Sequence, residues 1–187
     1  MQKFSRDSFN VNEAINELMH ESGVIVIKNA YNLNDIKEAR EIVNHFADTE
    51  EQKETHFNAE AEALKQIKLQ QRIWNLFGKG DIFSKLISDD IIFSLMSKLL
   101  GSEFFCGSYC ASRLLPGSLG QELHIDYPYW DFYNSETFPM GLNSSFAQNC
   151  QATIPLDIFS EVSGATTYIP RSQKKLHYPN ENDDFSN

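Results

Sequence analysis

The chain changes texture once, at Gly101, and that change constrains its architecture more than any single motif does. Before it, apolar residues recur at helical spacing. Val11, Ile15, Leu18 and Met19 mark one amphipathic stripe in "NVNEAINELMHESG", which Gly23 can stop. Ile36, Ala39, Ile42, Val43 and Phe46 mark a second in "NLNDIKEAREIVNHF", with Asn34 or Asn32 as its cap. "SDDIIFSLMSKLLG" reads as a third helix, opened by Ser88 and closed by Gly101. Between the first two lies "VIVIKNA", a β-branched run with the character of a short buried strand. The polar stretch "ADTEEQKETHFNAEAEALKQ" is compatible with helix but has little to bury. After Gly101, "EFFCGSYCASRLL", "NCQATIPLDIF" and "ATTYIP" are strand-like, with turns at "PGSLG" and "SEVSG". Helices first and strands afterwards predict an α+β fold in which helices brace an antiparallel sheet or barrel.

A length of 187 residues suits one domain, mainly helical over 1–101 and strand-rich over 102–187. The net charge of −10 argues against a nucleic-acid or anionic-membrane surface, since either needs a basic patch. No apolar run approaches the roughly 18 residues of a membrane span, and no basic-then-apolar leader opens the chain. A cytoplasmic protein is therefore expected. Cys106, Cys110 and Cys150 are odd in number and lack C-x-x-C spacing, which predicts reduced, buried thiols.

The chemistry-bearing stretch is "GQELHIDYPYWDFYN", which places His124 and Asp126 two residues apart. With 5 histidines and 11 aspartates, chance alone supplies about 0.3 such pairs, so the bare motif is weak. On a strand, however, residues i and i+2 point to one face and can converge. An imidazole and a carboxylate are two of the three ligands of the 2-His-1-carboxylate triad, which holds Fe(II) and leaves positions open. The other reading is a solvent-facing His and Asp near a strand end.

Three longer segments carry a resemblance. "LMHESGVIVIKNAYNLNDIKEAREIV" is similar to the helix–Gly–strand–helix opening of the phytanoyl-CoA dioxygenase family of Fe(II)/2-oxoglutarate oxygenases. "SYCASRLLPGSLGQELHID" resembles its strand and Pro-Gly turn leading into His-x-Asp. "NCQATIPLDIFSEVSGATTYIPRSQK" resembles the strands that follow, with "PRSQ" (Pro170 to Gln173) where the family reads "PGSH". The similarity runs over essentially the whole chain in the right order. It implies an incomplete double-stranded β-helix, a cupin-like jelly-roll barrel, and a dioxygenase using Fe(2+), 2-oxoglutarate, O2 and a small-molecule substrate. It implies His124 and Asp126 as metal ligands; Asp126 stands where a halogenase would need an open position. The family's distal histidine and its 2-oxoglutarate-binding arginine lie in a segment resembling "HGSG…N…R", and nothing after Gly164 is similar to it. The chain is thus expected to be an N-terminal piece of such a domain. The alternative is a catalytically inactive jelly-roll binding module, or an inactive fragment. His177 is the sole histidine downstream of Asp126, but "KKLHYPNEN" reads as a loop with Pro179 just beyond.

Tyr127, Tyr129, Trp130, Phe132 and Tyr133 crowd after the pair. They form either a substrate wall or jelly-roll core, and Trp130 and Tyr127 are the foremost candidates for substrate contact. Arg113, on the strand leading to the pair, either meets an anionic cosubstrate or makes a surface salt bridge. Gln151 and Thr153 share a strand face that, by resemblance, looks into the barrel toward 2-oxoglutarate. His20, His45 and His56 are expected at the surface.

Overall fold

The computed structural model describes residues 1–52, 69–126, 136, 145–175 and 179. Among these, four helices and two small sheets make a mixed fold, with no closed barrel.

Strand β1 (Gln2–Ser5) pairs in parallel with β2 (Ile25–Lys28), placing Gln2 opposite Ile25 and Ser5 opposite Lys28. Helix α1 (Val11–His20) makes the crossover between them. It starts at Asn10, whose side-chain oxygen accepts from the amides of Asn12 at 3.0 Å and Glu13 at 3.3 Å. It stops as expected: Gly23 takes φ +82° and its amide returns to the Glu17 carbonyl at 3.1 Å. The turn Ser172–Lys174 then lies across that helix end. Gln173 Nε2 donates to the carbonyls of Leu18 (3.0 Å) and Glu21 (3.2 Å), and Lys174 Nζ to that of His20 (2.6 Å). Carbonyls that no helical amide reaches thus find donors roughly 150 residues away in sequence.

Helix α2 (Leu33–Thr49) is capped by Asn32, the second of the two expected candidates, through Asn34 N at 2.8 Å. Its buried stripe, Ala39, Val43 and Ala47, packs on Ile73 of β3 (Gln70–Ile73) and on Ile82, Phe83 and Leu86 of α3 (Asp81–Ile87). Two small residues in that stripe let the neighbouring elements approach the α2 backbone closely. Ile36, Ile42 and Phe46 flank this core, as do Tyr109, Ile154 and Leu156 from the second half of the chain. A smaller core joins Phe4 of β1, Ala14 of α1 and Leu95 of α4 (Asp90–Leu100).

Several sequence expectations need correction. Helix α3 was not foreseen: it is seven residues long and its cap is Gly80, so neither periodicity nor a polar cap announces it. It also moves the start of α4, because Ser88 ends α3 and Asp89 supplies the cap of α4 instead, accepting from Ile91 N at 3.0 Å and Ile92 N at 3.4 Å. Gly101 closes α4 with φ +90°, as expected. Of "EFFCGSYCASRLL", only Ala111–Leu114 forms a strand, β4, which runs antiparallel to β3 with Gln71 opposite Arg113. "NCQATIPLDIF" and "ATTYIP" join no ladder. The alternation survives in part, since Ile154 and Leu156 face the core while Thr153, Pro155 and Asp157 are exposed. Strand preference describes how well a side chain fits a pleated surface; a ladder also needs a neighbouring backbone, which these runs lack among the described residues. The thiols are free, as expected, but Cys106 is exposed and the other two half-buried. His56 and much of the polar stretch after Gln52 lie outside the described residues.

Candidate metal centre

Strand β4 delivers the chain to the candidate pair. Its ladder is prolonged by Leu115 N, which donates to Leu69 O at 2.8 Å. A tight turn then follows, Ser118 N to Leu115 O at 3.0 Å, with Gly117 at φ +87°. Residues Gly120 to Asp126 are exposed and not in a strand, so the expected pleat is absent.

His124 and Asp126 nevertheless converge. His124 Nδ1 lies 2.5 Å from the Glu122 carbonyl oxygen, and Nε2 lies 3.1 Å from Asp126 Oδ1. A carbonyl can only accept, so Nδ1 is the donor in that contact. In the neutral ring Nε2 then presents its lone pair to a carboxylate oxygen that also has only lone pairs. Two such atoms stay in contact when a proton or a cation lies between them. Metal–ligand bonds of about 2.1 Å meeting at a right angle place neighbouring donors about 3.0 Å apart. The observed separation fits adjacent corners of one coordination sphere. An Nδ1–H held by a main-chain carbonyl, with Nε2 left as ligand, is also the usual support of a metal-binding histidine. The Asp126 main chain is held separately: Asn149 Nδ2 donates to its carbonyl oxygen at 2.8 Å. Next to Asn149, burial pushes the Cys150 thiol up to about 11.

The remaining site expectations fare differently. Arg113 meets three protein acceptors: Nε donates to Gln71 Oε1 at 2.6 Å, Nη1 to Asn44 Oδ1 at 3.2 Å and Nη2 to Asp48 Oδ1 at 2.5 Å. The guanidinium thus ties β4 to β3 and α2, and that hydrogen bond together with its charge holds the Asp48 carboxyl below the usual carboxylate range. Of its two sequence readings, the salt bridge is the one present. Gln151 and Thr153 are exposed and outside any strand, so the shared strand face expected for them is not formed. His20 and His45 are at the surface as expected. Tyr127, Trp130 and His177 lie outside the described residues. Sequence reasoning missed Asn149 and the Glu122 carbonyl; an asparagine 23 positions from its partner leaves no pattern in the sequence.

Among the described residues, no group of three or more His, Cys, Asp and Glu side chains converges. Two open clefts, of about 400 Å³ and about 570 Å³, are lined by other residues. In the first, Arg6 faces Asp89 at 2.7 Å and Lys85 faces Asp35 at 2.7 Å, so its charges already neutralise one another. Among the described residues no helix is long and apolar enough to cross a membrane. No curated protein matches the chain. The profile of the phytanoyl-CoA dioxygenase family, by contrast, matches residues 19–186, which takes in every described element from the last two residues of α1 onward, and on that extent the chain belongs to the phytanoyl-CoA dioxygenase family.

Proposed function

We propose that the chain is a non-haem Fe(II)/2-oxoglutarate-dependent dioxygenase that hydroxylates a small organic substrate. Family membership supports an oxygenase-type enzyme. The observation that carries the finer reading is the 3.1 Å approach of His124 Nε2 to Asp126 Oδ1, with Nδ1 held by Glu122. These two side chains would hold the iron, which when bound supplies a seat for 2-oxoglutarate and for O2 activation. The protein's own work is then positional. The Glu122 carbonyl holds His124 Nδ1 and leaves Nε2 turned toward Asp126, and the Asp126 carboxylate would be the second protein ligand beside it.

We assign Gln151 and Thr153 to hydrogen-bonding 2-oxoglutarate, and Tyr127 and Trp130 to the substrate wall, on their places in the sequence. Arg113 is left out of this assignment because its Nε, Nη1 and Nη2 already meet protein acceptors. The triad requires a second histidine; by resemblance it belongs to the distal "HGSG…N…R" segment, to which nothing after Gly164 is similar, and the "KKLHYPNEN" around His177 reads as a loop.

A second reading, a jelly-roll module that binds a small molecule without catalysis, rests on the two converging ligands among the described residues where the chemistry needs three. Succinate formation from 2-oxoglutarate separates the two. The oxygenase releases succinate only when Fe(II) and O2 are supplied, and Asp126→Ala abolishes it. Turnover retained in Asp126→Ala refutes the ligand assignment, and 2-oxoglutarate binding without any succinate favours the inert module.

A further inference from the structure

We infer that Asn149 is a positioning residue for the metal centre, holding the Asp126 backbone so that its carboxylate meets the His124 imidazole. The inference rests on the ligand reading proposed above.

The loop Gly120–Asp126 has no ladder to define it, and each of its residues is exposed. A ligand loop of this kind needs an external anchor, because a carboxylate that samples several directions loses binding energy each time the metal orders it. Asn149 provides one. Its Nδ2 donates to the Asp126 main-chain oxygen at 2.8 Å from a segment 23 residues downstream. Fixing that carbonyl fixes the peptide plane after Asp126, and so restricts the direction in which the Asp126 Cα–Cβ bond points.

The anchor is itself anchored. Cys150 is half-buried, and Ile154 and Leu156 pack against the core formed by α2, β3 and α3. Asp157 Oδ1 accepts from Arg40 Nη1 on α2 at 2.8 Å. A continuous path therefore leads from the main core, through residues 157 to 149, to the carboxylate that faces His124. The residue type matters too. The acceptor is a carbonyl, so the anchoring atom has to be a donor, which an amide supplies and an aspartate at pH 7 does not.

The test is a titration with Co(II) alone, followed by its visible absorption, on the wild-type chain and on Asn149→Ala, Asn149→Leu and Asn149→Gln. Asp126→Ala is run beside them. Removing the donor, with loss of volume or with volume roughly kept, should weaken Co(II) binding about tenfold, at the lower end of what second-layer partners contribute. Asn149→Gln, which keeps the amide on a longer arm, should recover part of the loss. The metal-free melting temperature should stay within about 1 °C, since an exposed substitution of this kind costs little stability. Wild-type affinity in both Asn149→Ala and Asn149→Leu, with binding abolished in Asp126→Ala, overturns the inference and leaves the ligand reading standing. Weaker binding that comes only with a lowered metal-free melt gives Asn149 a folding role and also overturns it. Wild-type affinity in Asp126→Ala overturns the ligand reading, and the inference falls with it.

Discussion

The Glu122 carbonyl oxygen lies 2.5 Å from His124 Nδ1, and by holding that nitrogen it leaves the opposite ring nitrogen to face Asp126. The tautomer is thereby a property of the loop itself, set before any metal arrives. With diamagnetic Zn(II) as the bound ion, 15N spectra of the His124 ring should show a protonated, pyrrole-like Nδ1 and a metal-bound Nε2. A metal-bound Nδ1 would contradict this geometry.

The tie between Arg113 and Asp48 gives a defined pH signature. The Asp48 carboxyl is held below its ordinary value, first by the hydrogen bond from Arg113 and then by its charge. A depressed folded pKa means the contribution is whole above the unfolded value of about 3.9 and is lost as pH falls through the folded one. Asp48→Asn should therefore flatten part of the acid limb of a melting-temperature profile below about pH 4. Because Asp48 is largely exposed, the change is small and shrinks further in salt. Identical acid limbs in the two proteins would rule out a stabilising pair.

The start of α4 can be read by two single substitutions. Asp89 caps the helix through Ile91 and Ile92 and also meets Arg6 at 2.7 Å, so Asp89→Ala should cost about 1–2 kcal/mol. Ser88→Ala should stay within about 0.5 kcal/mol. Denaturant unfolding of both variants decides, and the reverse order of costs would place the cap at Ser88.

That same helix shows where the sequence is legible and where it is not. The stripes of α1 and α2 are repeated several times, so no single substitution hides them, and the Asn32 cap and the Gly23 and Gly101 stops are local chemistry. Helix α3 has no room for repetition in seven residues, and overlooking it displaces the cap of the next helix by one position. Strand β1, "QKFS", is short and mostly polar, and becomes a strand only because Ile25–Lys28 lies beside it. The converse holds for "ATTYIP", whose composition favours a strand that no neighbour completes among the described residues.

The site divides along similar lines. His124 and Asp126 were legible as a spacing, although they converge through a bend and a carbonyl contact rather than through a pleat. The partners of Arg113 lie 42 to 69 residues away, and that of Asn149 lies 23 away. Such contacts are products of tertiary structure, and no local pattern encodes them.

The most direct test of the central claim is an anaerobic Fe(II) titration, with and without 2-oxoglutarate, on the wild-type chain and on Asp126→Ala. The ligand pair predicts saturable binding of one Fe(II), strengthened by 2-oxoglutarate, and its loss in Asp126→Ala while circular dichroism stays unchanged. Equal Fe(II) affinity in both proteins would contradict the assignment of His124 and Asp126 to iron.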